Sequence, residues 1–123
     1  MMAYANDEEK RLVEQMIFLP LVKKVLEYNA NMLAAHVKLP QPYLQFNENL
    51  FQLVSNDLQL VKREMHQRGI KVFEDSRDST NIIYKAYIRG YEETHRYAII
   101  FLKNKTEQYL SHYLQKLTDK KSL

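Results

Sequence analysis

Apolar residues return every three or four positions between Asp7 and Ala35, at Leu12, Met16, Leu19, Val22, Leu26 and Leu33, with Phe18, Leu21, Val25 and Met32 widening the stripe. That spacing keeps one side of a 3.6-residue helix apolar and predicts a first amphipathic helix. Asp7, Glu8 and Glu9 stand where negative charge suits the helix dipole, while Pro20 removes a backbone donor and predicts a bend or break near Ile17. The stretch "HVKLPQP", residues 36 to 42, has two prolines and no period, and reads as a connection.

A second helix is predicted from about Pro42 to Arg68, where Leu50, Val54, Leu58, Val61 and Met65 form one apolar row and Gly69 is placed to end it. The segment "IKVFEDSRDSTN" opens with an alternation that fits a short extended piece, then turns polar, with Ser79 or Thr80 placed to cap the next helix. From there the pattern predicts a third helix over about Asn81 to Lys103 and a fourth over about Thr106 to Leu117. The two are separated near Asn104 or Thr106, or run on as one. Four amphipathic helices around one core predict an all-α, antiparallel helical bundle forming a single domain over residues 1–123.

Composition agrees with that expectation. The chain of 123 residues is 46% hydrophobic with 2 glycines and 3 prolines, which excludes a low-complexity chain and disfavours a turn-rich β fold. The absence of cysteine excludes disulfides, thiolate metal sites and a cysteine nucleophile. The opening "MMAYANDEEKR" lacks the basic and apolar segments of a secretory signal, so a cytoplasmic protein is expected. The apolar runs "IFLPLV" and "YAIIFL" are far shorter than the roughly 20 residues that cross a bilayer. The formal charge is +3, and the basic excess gathers at the carboxyl end in Lys103, Lys105, Lys116, Lys120 and Lys121.

Within "YKAYIRGYEETHRY", residues 84 to 97, Glu92 and His95 have the Glu-x-x-His spacing of carboxylate-bridged di-metal bundles. On a helical wheel with Ile83 at zero, Glu92 lies near 180° and points off the core, with His95 at the margin near 120°. Arg89 and Arg96 are spaced to pair with Glu92 and Glu93, and neither His66 nor His112 has a glutamate three residues earlier. No metal site and no cofactor are therefore expected. No nucleophile stands beside a base and no glycine-rich phosphate loop exists, so the protein is expected not to be an enzyme. Gly90, placed inside the third helix, implies close approach of another backbone, and Asn29 implies a buried polar group needing a partner.

Six of the nine tyrosines fall between residues 84 and 113. Tyrosine combines apolar area with a hydroxyl that needs a partner, which suits both a core rim and a protein interface. Tyr84, Tyr87, Tyr91, Tyr109 and Tyr113, with His95, are the candidate partner-binding residues, for a protein partner or a second copy. The alternative is nucleic-acid binding by the basic carboxyl-terminal region, although acids interrupt every cationic run.

The stretches "IFLPLVKKVLE", "KLPQPYL", "DLQLVKREM" and "YIRGYEE" together resemble a group of small uncharacterised helical proteins of spore-forming Firmicutes, the YhjD-like proteins. The resemblance spans most of the chain. It implies no catalytic residue and no cofactor, and a link with sporulation. The expected function is that of a non-enzymatic interaction or regulatory protein.

Overall fold

Asn6 opens the first helix by accepting from the Glu9 backbone N–H at 2.8 Å, while the Glu9 carboxylate accepts from the Asn6 N–H at 2.9 Å. This reciprocal capping box satisfies two of the N–H groups that a helix start leaves unpaired. In the computed structural model, which describes residues 5–121, helix α1 runs from Asp7 to His36 without a break at Pro20. The break expected near Ile17 does not occur, since the lost donor does not end the helix. The prolines of the connection fall at the start of α2, Gln41–Arg68, where a missing N–H costs nothing. Gly69 then ends α2 in the left-handed region at φ 69°, as its position predicts.

The next thirty residues overturn the all-α bundle. Ile70–Arg77, Asn81–Ile88 and Tyr91–Ala98 are strands β1, β2 and β3 of an antiparallel sheet in the order β1-β2-β3, and α3, Ile99–Lys121, follows β3 directly. The fold of the described residues is α+β, three helices and one three-stranded sheet. The predicted third helix is replaced by a hairpin, and only its last residues join the predicted fourth in α3. The reason is burial with period two: Ile82, Tyr84, Ala86 and Ile88 are buried on one face of β2, while Lys85 and Tyr87 look outward.

Local chemistry fixes the turns. Arg89 and Gly90, at φ 51° and 84°, form a two-residue turn between Ile88 and Tyr91, a conformation with two left-handed residues that matches strand twist. Gly90 is thus a turn glycine, and among the described residues, its two chain neighbours aside, no atom lies within 4 Å of where its Cβ would stand, so the expected close approach is not found there. Between β1 and β2 the Asp78 carboxylate accepts from the Thr80 and Asn81 N–H groups, both at 2.8 Å. The residues read as a helix cap therefore make a turn instead. Ile99 N–H donates to Thr80 O at 2.8 Å, tying the start of α3 to that turn. A bulge lies between Glu74 and Ser76.

One buried cluster draws on α1, α2, the sheet and α3, including Leu12, Phe18, Leu19 and Leu26 of α1, Leu50 and Val54 of α2, Ile70, Ile82, Ala86 and Ile88 of the sheet, and Leu102, Tyr113 and Leu117 of α3. Phe18, fully buried, stacks on Tyr109 at 5.3 Å and meets Tyr97 edge-on at 5.8 Å; Tyr97 in turn contacts Tyr84.

Because the Gly90 site is roomy but left-handed, a side chain there is opposed by backbone strain alone. Gly90→Ala should lower unfolding free energy by about 1 kcal/mol, with Gly90→Asn costing less. Urea denaturation of the two variants checks both the size and the order.

Candidate interaction surfaces

The six predicted partner-binding residues do not share a surface. Residues 84 to 91 span the β2–β3 hairpin, so Tyr84, Tyr87 and Tyr91 stand on strands and not on one side of the predicted third helix. Tyr84 is buried, its hydroxyl pKa raised first by that burial. Tyr113 is buried too and donates to Asp57 Oδ2 at 2.6 Å; Tyr109 is half-buried and donates a short bond to Glu14 Oε2. Burial first, then the acceptor carboxylates, hold both hydroxyls well above the usual tyrosine value. These two bonds pin α3 to α2 and α1 respectively. His95 stacks on Tyr97 at 6.4 Å and lies 3.2 Å from Glu93. Tyr87 and Tyr91 remain exposed, on opposite faces of the hairpin.

Strand geometry also changes the argument about Glu92 and His95. Three residues apart on β3 they project to opposite faces, so no rotamer brings both to one ion. Glu92 faces outward, bonded to Lys85 Nζ at 2.8 Å and to the Tyr87 hydroxyl at 2.9 Å, which together hold its carboxyl below the usual range. Beside them Phe73 stacks on Tyr87 at 5.9 Å. The outer sheet face is thus a partly exposed aromatic pair held beside an ion pair.

A larger surface lies at the far end of the helical hairpin. No side chain between Glu27 and Asn49 is buried, so the last ten residues of α1 and the first nine of α2 form an arm beyond the core. Helical rise makes it about 15 Å long. Exposed on it are Tyr28, Met32, Leu39, Tyr43 and Phe46, and Leu39 is 83% exposed. Leu39 also sits at φ 52°, a left-handed conformation that costs a leucine on the order of 1 kcal/mol, and it precedes Pro40. Asn47 Nδ2 donates to Leu26 O at 2.9 Å at the base of the arm, whereas Asn29 is only half-buried and is not the enclosed polar group expected.

Reading for tyrosines missed this arm, yet a signal was present. Between Tyr28 and Asn47 the chain carries one formal charge, Lys38, although Lys, Arg, Asp and Glu make up 27% of the whole. Depletion of Lys, Asp and Glu with retention of tyrosine, phenylalanine and methionine is a compositional trend of protein interfaces.

A third feature is a groove of about 660 Å³ between α1, α3 and the sheet. Its apolar lining includes Leu21, Val25, Leu102 and Leu110, with Lys24 and Lys103 beside them. Elsewhere the carboxyl-terminal cations are partly spent on acids: Lys105 lies 4.0 Å from Glu14 and Lys116 lies 3.7 Å from Asp57. The side chains of Lys120 and Lys121 lie outside the described residues, as do residues 1–4 of the amino-terminal stretch. Among the described residues no helix is long and apolar enough to cross a membrane.

The model of the family described as "YhjD protein" matches residues 4–118. A relative from Bacillus subtilis (strain 168), "Uncharacterized protein YhjD", is 30% identical over 110 residues, covering 89% of this chain and 92% of its own. No solved structure matches.

The Tyr113–Asp57 bond carries its own test. Removing the hydroxyl leaves a carboxylate without a buried donor, so Tyr113→Phe should lower stability by about 1 to 2 kcal/mol near neutral pH. Because the folded-state pKa is raised, the stabilisation is complete below the ordinary tyrosine value of about 10 and is lost as pH climbs above it. Thermal melts from pH 8 to 11 should show the wild type declining more steeply than the variant.

Proposed function

This chain belongs to the YhjD family, and we propose that it is a non-enzymatic protein-interaction module whose α1–α2 arm docks on a partner protein or on a second copy. The observation that carries the proposal is the arm itself, a helical hairpin end without a buried side chain, bearing five exposed large apolar groups and, from Tyr28 to Asn47, a single formal charge. Exposed apolar surface in a monomer is scattered; gathered on one projection and cleared of charge, it marks a docking face. Scarcity of cations there also argues against nucleic acid and anionic lipid, whose phosphates are held by Lys and Arg.

The exposure of Leu39 adds to this. Among the described residues nothing covers this apolar side chain, held outward on a left-handed backbone before proline, and strain of that kind gathers at functional segments. A regulatory role follows the same logic, because a module without a catalytic set acts through what it holds. The sporulation link implied by the resemblance is part of this proposal and names the process in which a partner is sought.

Leu39→Ser with Tyr43→Ser removes two of the most exposed apolar groups without touching the core. Multi-angle light scattering across concentration, together with affinity capture from a native lysate, should show the wild type associating and the double variant monomeric and partnerless, with melting temperatures unchanged within a few degrees. A wild type that stays monomeric, keeps no partner and matches the variant in every measurement sinks the reading.

A further inference from the structure

Helix α1 carries two apolar stripes, and only one is covered. Leu12, Leu19, Val22 and Leu26 face the core. A second row, Leu21, Val25, Tyr28 and Met32, advances by four, three and four residues and therefore stays on one line along the helix. Its lower half, Leu21 and Val25, is half-buried and forms one wall of the groove against α3, whose opposite wall includes Leu102 and Leu110. Its upper half is open: Tyr28 is 63% and Met32 40% exposed. Groove and stripe are thus one apolar trough, about 17 Å long on α1 by helical rise.

The shape and the charge of the trough select a guest. The two long walls are helices whose backbone groups are already paired, and the sheet enters the lining only at Arg77 and Ile82, so a helix, which brings its own hydrogen bonds, fits by laying an apolar side into the groove. Lys24 and Lys103 line the groove from its two sides, against one acid, Glu107. Arg77 is part of the lining as well, but its guanidinium is held by both carboxylate oxygens of Glu74 at 2.7 Å. With Arg77 neutralised by Glu74, the two lysines outnumber Glu107, and the lining offers a guest a surplus of one positive charge. We propose that the trough between α1 and α3 seats an amphipathic helix of a partner protein, with acidic side chains flanking its apolar face. The proposal rests on the reading of the chain as an interaction protein and names the chemistry of its partner.

The probes are three labelled synthetic peptides of 18 residues: a helix with a leucine stripe flanked by glutamates, the same stripe flanked by lysines, and the glutamate peptide reordered so that no helical stripe forms. Fluorescence anisotropy with the full chain should show the glutamate-flanked helix binding at least tenfold more tightly than either of the others. Lys24→Glu with Lys103→Glu should reverse the order of the first two. Tyr28→Asp, at an exposed position, should weaken binding at least tenfold without lowering the melting temperature. Equal binding of the glutamate and lysine peptides, binding of the reordered peptide, or no binding at all overturns the inference. So does a trough occupied by a second copy, seen as a doubled mass lost on Tyr28→Asp. In each of those cases the Leu39 and Tyr43 double variant still reports separately on the arm, so the two readings fail by different measurements.

Discussion

Phe18 is the point on which the architecture turns. Its ring is fully buried at the middle of the core-facing side of α1, stacked on Tyr109 of α3 and met edge-on by Tyr97 of β3, which touches Tyr84 of β2. Helix and sheet have no backbone hydrogen bonds to share, so their junction must be made of side chains, and large aromatic groups fill such an angle with few rotamers to freeze. Around this hub the tyrosine hydroxyls reach outward to carboxylates on neighbouring helices. The tyrosine-rich segment is therefore mainly an internal device for holding α3 against α1 and α2.

The two ends of α1 are treated differently. At its start Glu9, buried, is shared between the Asn6 N–H and Arg89 Nη1, which lies at 3.0 Å, so a capping residue also anchors the β2–β3 turn. A buried carboxylate is tolerated there because it is both paired and hydrogen-bonded. At the other end the helix outruns everything that packs on it. Burial stops at Leu26 and at Leu50, and beyond them the hairpin keeps apolar groups that no part of the described chain covers. One end of the hairpin serves the core, and the other is not covered by any described residue.

Much of this architecture is legible from residue order. The amphipathic stripes of α1 and α2, the proline connection, the Gly69 cap and the apolar side of the last helix follow from spacing and capping chemistry, and the structure has them within a few residues. The β2–β3 hairpin reads as a helix because it satisfies two periods at once. Ile83, Tyr84, Tyr87, Ile88 and Tyr91 recur at helical intervals, while Ile82, Tyr84, Ala86 and Ile88 alternate. Tyr87 supports the helical pattern only because it is apolar yet faces outward. β-Branched and aromatic residues across the segment, with the Arg89–Gly90 pair between them, favour strands, and the helical period that outweighs them is accidental.

What the sequence determined by itself is local: where α1 and α2 start and stop, which rows of each are apolar, and that no cysteine chemistry is available. Which apolar rows meet was decided only by tertiary structure. The row of Leu21, Val25, Tyr28 and Met32 has the same spacing as the row that enters the core. Nothing in spacing alone tells a stripe that will be covered from one that will not. Burial is a property of what packs across a surface, and that depends on the sheet lying against one side of α1 and α3 against another. The same limit explains the tyrosines. Their number was visible in the chain, but whether each hydroxyl points to a carboxylate or to solvent depends on residues as far away as Asp57 and Glu14, brought there only by the fold.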